Sequence, residues 1–285
     1  MLSYLHSFHA GNFADVLKHS ISAYILDYLT SKPKPMFYLD THSGVGAFSL
    51  FASEAQKNKE YQNGIGKLWH LSQDRNAFEQ APELVQQYLE LIQQFNNSDE
   101  LSHYPGSPWF AQHLLREHDR LNLFELHPRE FKTLSQNFAN DRRIKVFQKD
   151  GFHGCNSQLP PKERRGYILM DPPYEVKTDY QTALDAFIKA HKKFSTGTYA
   201  LWYPVVNRKQ IDLLEQQFKD SGVKNIQLFE LGIGKDEDKG MNSSGMIVIN
   251  PPWTLMKAAQ QALPWLSTQL AGKEGFYRCE QLVEE

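Results

Sequence analysis

A chain of 285 residues with 41% apolar and 22% charged residues has an ordinary globular composition, long enough for two domains or for one large α/β domain with an insertion. Its 31 Lys and Arg against 33 Asp and Glu, a net charge of −2, exclude a protein that holds a polyanion by overall positive charge; any such contact has to come from a local patch. Two distant cysteines, Cys155 and Cys279, exclude a disulfide framework and a cysteine zinc site, and the lack of a signal-like start or a run of about 18 apolar residues predicts a soluble cytoplasmic chain.

In chain order, Asn12 as a cap, Asp15 in the first turn and Leu17, Ile21, Tyr24, Ile25 and Tyr28 on one stripe predict a helix over 12–29. At about 100° per residue His19 points away from that stripe, with Lys18 at its margin. A histidine on an exposed face is either solvated or free to meet a ligand. Residues 36–40 read as a buried strand that runs into Thr41-His42-Ser43-Gly44-Val45-Gly46, a glycine turn leading to a helix. The composition then shifts: residues 54–103 hold eight acidic against four basic residues, a balance of −4 within the total of −2, so the rest of the chain carries +2. Pro82 and the spacing of Leu84, Val85, Tyr88, Leu91, Ile92 and Phe95 make the second half of that span a helix.

Beyond it, Ser107-Pro108 predicts a capped helix to about residue 119, and another helix opens after His127-Pro128. Strands are expected over 121–125, 144–147, 167–170, 199–205, 226–231 and 246–250, with helices over 180–193 and 207–221. Strands alternating with helices imply an α/β fold, a mostly parallel seven-stranded sheet covered on both faces. The domain division is 1–53 with 104–285 as the main domain, and 54–103 as a small helical insertion subdomain.

Ligands of such sheets lie outside the carboxyl ends of the strands. Four successive strand ends here carry Asp40 with the Gly44 turn, Glu125, Asp150 and Asp171. The glycines alone are weak evidence, since a tight turn also selects them. Glu125 suits a ribose, because a carboxylate accepts from two hydroxyls. Asp171-Pro172-Pro173-Tyr174 is the sharpest signal: at a proline usage of roughly 5%, an Asp/Asn/Ser-Pro-Pro-aromatic tetrapeptide arises by chance in about one chain in a hundred of this length. An exocyclic adenine amine is a poor nucleophile because its lone pair is delocalised. The Asp171 carboxylate and Pro172 carbonyl can accept its two N–H bonds, the prolines stiffen the loop, and Tyr174 can stack on the base. The rival copy, Asn250-Pro251-Pro252-Trp253, ends a strand expected to run antiparallel, which puts it at the opposite edge of the sheet. The short basic run Lys162 to Arg165, just ahead of the strand that delivers Asp171, is a candidate phosphate contact. Eleven histidines, His6, His9, His19 and His42 among them, come without metal-binding spacing, so no metal is expected.

With these residues in view, the chain resembles the bacterial 23S ribosomal RNA adenine-N6 methyltransferases of the RlmJ type. The likeness is most specific in Met1-Leu2-Ser3-Tyr4, His6-Ser7-Phe8-His9-Ala10-Gly11-Asn12, Ala14-Asp15-Val16-Leu17-Lys18-His19, Tyr38-Leu39-Asp40-Thr41-His42, Tyr104-Pro105-Gly106-Ser107-Pro108, Glu125-Leu126-His127-Pro128 and the Asp171 tetrapeptide. The resemblance implies a class I (Rossmann-like) methyltransferase fold with a helical subdomain inserted after the first strand and helix. It implies S-adenosyl-L-methionine as cofactor, contacted by Lys18, His19, Asp40, His42, Gly44, Ser107, Glu125, Asp150 and Gly151. Asp171, Pro172 and Tyr174 are then catalytic, and Tyr4, His6 and Lys18 meet the RNA. Its implied partner is 23S ribosomal RNA, with no membrane and a monomeric enzyme. Methylation of DNA adenine or of a protein glutamine amide, an NAD-dependent oxidoreductase and a non-catalytic RNA-binding scaffold stay open at this point, the oxidoreductase sharing the strand-end acid but leaving the proline tetrapeptide unexplained.

Overall fold

The computed structural model describes residues 5–176, 178–235 and 240–285. Among these, ten strands form: β1 (Phe37–Asp40), β2 (Ala47–Ser49), β3 (His103–Pro105), β4 (Arg120–Phe124), β5 (Ile144–Phe147), β6 (Gly166–Met170), β7 (Thr198–Val205), β8 (Ile226–Gly232), β9 (Ser243–Ile249) and β10 (Phe276–Val283). Eight make one sheet in the order β10-β8-β9-β7-β6-β1-β4-β5, and β2 and β3 pair separately as a short antiparallel ribbon. β7, β6, β1, β4 and β5 are parallel neighbours, β9 runs antiparallel to both β7 and β8, and β10 antiparallel to β8. The mostly parallel sheet is as expected; the eighth strand, β10, adds to the seven read from the sequence. Its Phe276-Tyr277-Arg278-Cys279-Glu280 stretch sits on the sheet edge, partly exposed, and shows no clean alternation of apolar and polar residues.

Helices cover both faces. On one lie helix α1 (Phe13–Thr30), Ile65–Gln73, Glu83–Asn96, Ser107–Leu114 and Leu255–Ala271; on the other lie Gly151–Gln158, Asp179–Lys193 and Arg208–Asp220. Asn12 caps α1, its side-chain oxygen accepting from the amides of Ala14 and Asp15. From Phe13 to Ala23 every residue of α1 is buried, because Glu83–Asn96 and Ser107–Leu114 close over the face that the sheet leaves open. The expected exposed position of His19 is therefore corrected: His19 and Lys18 are both buried. The helix at Ser107 also differs. Its cap is Gly106, it ends at Leu114, and the Ser107 hydroxyl turns inward to Asp40.

Two further expectations resolve on strand direction. β9 is antiparallel, so Asn250 emerges at the edge opposite the parallel strand ends; its amide clamps the carbonyls of Ser195 and Gly197 while Trp253 stands 81% exposed. The Lys162 to Arg165 run lies at the amino end of β6, across the sheet from Asp171. Arg165 there donates to the carbonyls of Leu29 and Lys34, and Glu163 pairs with Arg120. Arg165 and Glu163 are thus tied to the fold, whereas Lys162 and Arg164 are exposed, and the run as a whole lies away from the strand ends that gather the acids. No helix among the described residues is long and apolar enough to cross a membrane.

Candidate active site

β6, β1, β4 and β5 are adjacent and parallel, so Asp171, Asp40, Glu125 and Asp150 meet along one edge of the sheet. Asp171, Glu125 and Asp150 border a cavity of about 350 Å³ that also takes in His6, Lys18, His19, His42, Gly44, Ser107, Gly151 and Pro172, with Asp40 buried behind its wall. Gly44 and Gly46 both adopt positive φ, which lets the chain turn sharply from β1, and a side chain on Gly46 would collide with the ring of Phe138. The Gly44 amide donates to Glu125 Oε2 at 2.9 Å and the His127 amide to Oε1 at 2.7 Å. One carboxylate thus ties two loops together; burial raises its proton affinity, against the pull of these two amides. Asp150 caps the helix Gly151–Gln158 by accepting from the His153 amide.

Asp40 is fully buried. It accepts from Ser107 Oγ at 2.6 Å, Tyr38 Oη at 3.1 Å and the His42 amide at 3.2 Å, yet burial still lifts its pKa to about 6. Burial pushes His42 the other way, to about 4, so its imidazole is neutral at physiological pH. Its Nδ1 bonds Thr41 Oγ1 at 2.7 Å, and its ring meets the edge of Phe152. His19 is also held neutral by burial and by the neighbouring Lys18 charge. Its Nδ1 pairs with Tyr104 Oη at 2.8 Å, and Tyr104 in turn with Tyr88 of the helix Glu83–Asn96 at 3.0 Å, whereas Nε2 is buried with no partner among the described residues. A buried, unpaired nitrogen on a cavity wall costs free energy unless a ligand satisfies it. Thr41, His127, Glu130 and Phe152 also line this cavity and were not singled out from the sequence. Of these, His127 carries a local signal as the cap before Pro128. Burial and the Glu125 charge bring Glu130 to about 7.

A second cavity, of about 480 Å³, lies on the other side of Asp171. His6, Lys18, Asp171 and Pro173 border both cavities; Asp15, Tyr174, Trp202, Pro204, Val206 and Met241 border the second alone. Tyr174 belongs to this second wall. It sits at φ +50, a strained region for a bulky residue, with its hydroxyl donating to the Trp202 carbonyl at 2.7 Å and its ring 4.5 Å from that of Tyr180. Strain held by such contacts fixes the ring before any ligand arrives.

At the shared wall stands a chain of charges. Lys18 Nζ lies 2.5 Å from Asp171 Oδ2 and 2.9 Å from Asp15 Oδ1, while Asp15 Oδ2 accepts from His6 Nε2 at 2.8 Å and from the Gly11 amide at 2.9 Å. Burial opposes the charge on both Lys18 and Asp15, but their partners prevail: the lysine is raised and the aspartate lowered well below its ordinary value. His9 and Asn12 both bond Glu60, at 2.9 and 3.0 Å, which anchors the segment carrying His6. Tyr4 lies outside the described residues. Among the described residues no group of three or more His, Cys, Asp or Glu is placed to hold a metal ion.

The first cavity has the polar groups that S-adenosylmethionine requires: carboxylates at Glu125 and Asp150 for hydroxyl and amino groups, a tight Gly44 turn, and a buried acceptor-or-donor nitrogen at His19. Comparison with known proteins agrees. A family model described as RsmJ: Ribosomal RNA large subunit methyltransferase D, RlmJ, matches residues 33–283. The chain is 46% identical over 271 residues to Ribosomal RNA large subunit methyltransferase J of Escherichia coli (strain K12), covering 95% of this chain and 94% of that protein. It is 46% identical over 272 residues to the protein of the same name from Haemophilus influenzae, with the same coverage. The crystal structure of protein LPL1258 from Legionella pneumophila superposes with a TM-score of 0.87 at 39% identity, covering 96% of this chain and 98% of that one. With a parallel sheet whose strand ends gather these acids and relatives matched over almost its whole length, the chain belongs to the RlmJ family of ribosomal RNA large-subunit methyltransferases, enzymes that take their methyl group from S-adenosylmethionine.

Proposed function

We propose that this enzyme methylates the N6 amine of one adenine in 23S ribosomal RNA, acting as a cytoplasmic monomer in which 1–53 and 104–285 form the catalytic domain and 54–103 an inserted subdomain. The observation that carries this reading is the meeting of two cavities at Asp171, one with the polar groups for a nucleoside cofactor and one walled by Tyr174 and Trp202. When bound, S-adenosylmethionine supplies an electrophilic methyl group on a positively charged sulfur.

The chain's own residues hold and orient. Glu125 and Asp150 accept from hydroxyl and amino groups of the cofactor, and Asp40 fixes the floor beneath it through Ser107 and the His42 amide. His19, His42, Gly44 and Gly151 line the same wall, with Lys18 at its boundary. On the other side a flipped adenine stacks on Tyr174, and its two N–H bonds go to the Asp171 carboxylate and the Pro172 carbonyl. Pro172 and Pro173 have no N–H to compete for these acceptors. Extrusion of the base is needed because the amine is otherwise engaged in pairing or stacking. His6 and Lys18 form the border that the RNA crosses on its way in. Alignment of a reactive donor with an oriented amine accounts for much of the acceleration, so the residues act mainly by position.

The test offers tritiated cofactor to 23S ribosomal RNA, duplex DNA and a protein carrying an acceptor glutamine. Label is expected in the RNA alone, as N6-methyladenine. Asp171→Ala is expected to lower kcat at least about a hundredfold while S-adenosylhomocysteine still raises the melting temperature. Label in DNA or protein alone, or an active Asp171→Ala enzyme, refutes the reading.

A further inference from the structure

We infer that Asp15 is a positioning residue for the reaction: it holds the Lys18 ammonium at the wall between the two cavities so that Asp171 can exchange that ammonium for the amine of the incoming base. The inference rests on the reading of Asp171 as the amine's acceptor. Asp15, Lys18 and Asp171 form one continuous ionic contact, with Lys18 2.9 Å from the first carboxylate and 2.5 Å from the second. Lys18 is only 4% exposed, so it cannot retreat into water when the amine claims Asp171. A buried ammonium stripped of its carboxylate is strongly disfavoured. Asp15 removes that difficulty, because the ammonium keeps one carboxylate throughout and moves by a fraction of a side-chain length.

The geometry is built to keep Asp15 still. It lies one helical turn before Lys18 on α1, at the interval that brings two side chains together. Its second oxygen is committed to His6 Nε2 and the Gly11 amide, so Oδ1 faces Lys18 in a fixed orientation. Asp15 borders the second cavity and not the first, which places its effect on the base and not on the cofactor. The plainer role of a first-turn aspartate, satisfying an amide at the helix start, is also served here through Gly11. That role predicts a loss of stability but no energetic link to Lys18 in turnover.

Asp15→Asn is expected to lower kcat about tenfold or more, to change the KM for a ribosomal RNA fragment by less than about threefold, and to leave the melting shift given by S-adenosylhomocysteine intact. In a Lys18→Met background the same substitution is expected to change kcat by less than about twofold, because the group it acts through is gone. An unchanged kcat in Asp15→Asn, or an equal loss in both backgrounds, overturns the inference. Should Asp15→Asn fail to fold, Asp15→Ser with added formate replaces it: restoration of kcat by formate that vanishes in Lys18→Met supports the role, and no restoration refutes it. An active Asp171→Ala enzyme would instead undo the proposed function itself, so the two failures are distinct.

Discussion

Burial, more than any single partner, sets the protonation of Asp40 and His42, and it does so in opposite senses for the acid and the base. Asp40 is pushed up to about 6 and His42 down to about 4. For His42 the sign follows from linkage: the unfolded chain takes up a proton below pH 6.5, whereas the folded imidazole stays neutral until about 4. Stability is therefore lost as pH falls from 6.5 toward 4, by at most about 3.5 kcal/mol at about 1.4 kcal/mol per tenfold change in proton affinity. His9, raised chiefly by its bond to Glu60, has its window on the other side, its contribution being present below pH 6.5 and lost as pH rises above it, and the cleanest comparison is between proteins that differ only at His42. The decline in melting temperature between pH 6.5 and 4 is expected to be shallower in His42→Gln than in the parent, measured without ligand. Parallel curves would mean that this imidazole is not the buried neutral base described.

At the scale of elements, the site depends on two backbone segments crossing at close range. A side-chain carbon on Gly151 would fall 1.9 Å from the Thr41 carbonyl oxygen, so the start of the helix Gly151–Gln158 has no room for one beside the turn after β1. Gly151→Ala is expected to force these loops apart, costing about 2 kcal/mol or more of stability. It should also weaken S-adenosylhomocysteine at least about tenfold by titration; unchanged affinity would show that the turn yields without disturbing the ligand. What the sequence made legible follows the same division. Strand-end acids and the Asp171 tetrapeptide were readable because strand, turn and helix alternate with clear periodicity, and the direction of β9 decided between the two Pro-Pro motifs. α1 was readable as a helix but not as one buried all round, since periodicity reports a stripe and cannot show that Glu83–Asn96 and Ser107–Leu114 cover the other face. Hence Lys18 and His19 were misplaced and the role of Asp15 went unseen. The inward turn of Ser107 was hidden too, because a serine before a proline reads as a cap whether or not its hydroxyl is used elsewhere. The helix Leu255–Ala271 was masked by Pro264 in its interior, and the three-residue ribbon β2–β3 is too short to leave a pattern.

At the scale of the molecule, the edge of the sheet farthest from the site is fixed by charge. Glu230, fully buried on β8, accepts from Tyr203 Oη and Arg208 at 2.9 Å and lies 3.2 Å from Arg278 of β10, which also pairs with Glu215 at 2.6 Å. Arg278→Met leaves Glu215 without that cation and Glu230 with less than its full set. A loss of about 3 kcal/mol is expected, read by denaturant titration, because removing one member of a buried ionic group strands the others. A loss under about 1 kcal/mol would show that Arg208 compensates.

The bonds from Tyr88 through Tyr104 to His19, and from Glu60 to His9 and Asn12, have a consequence for how such a protein can vary. Residues 54–103 read in the sequence as a separable subdomain, yet they supply the outer support of His19 on the cavity wall and the anchor of the segment that carries His6. Grafting another protein's insertion onto this sheet would transplant shape without those two supports. The segment and the catalytic edge are therefore expected to change together over time or not at all.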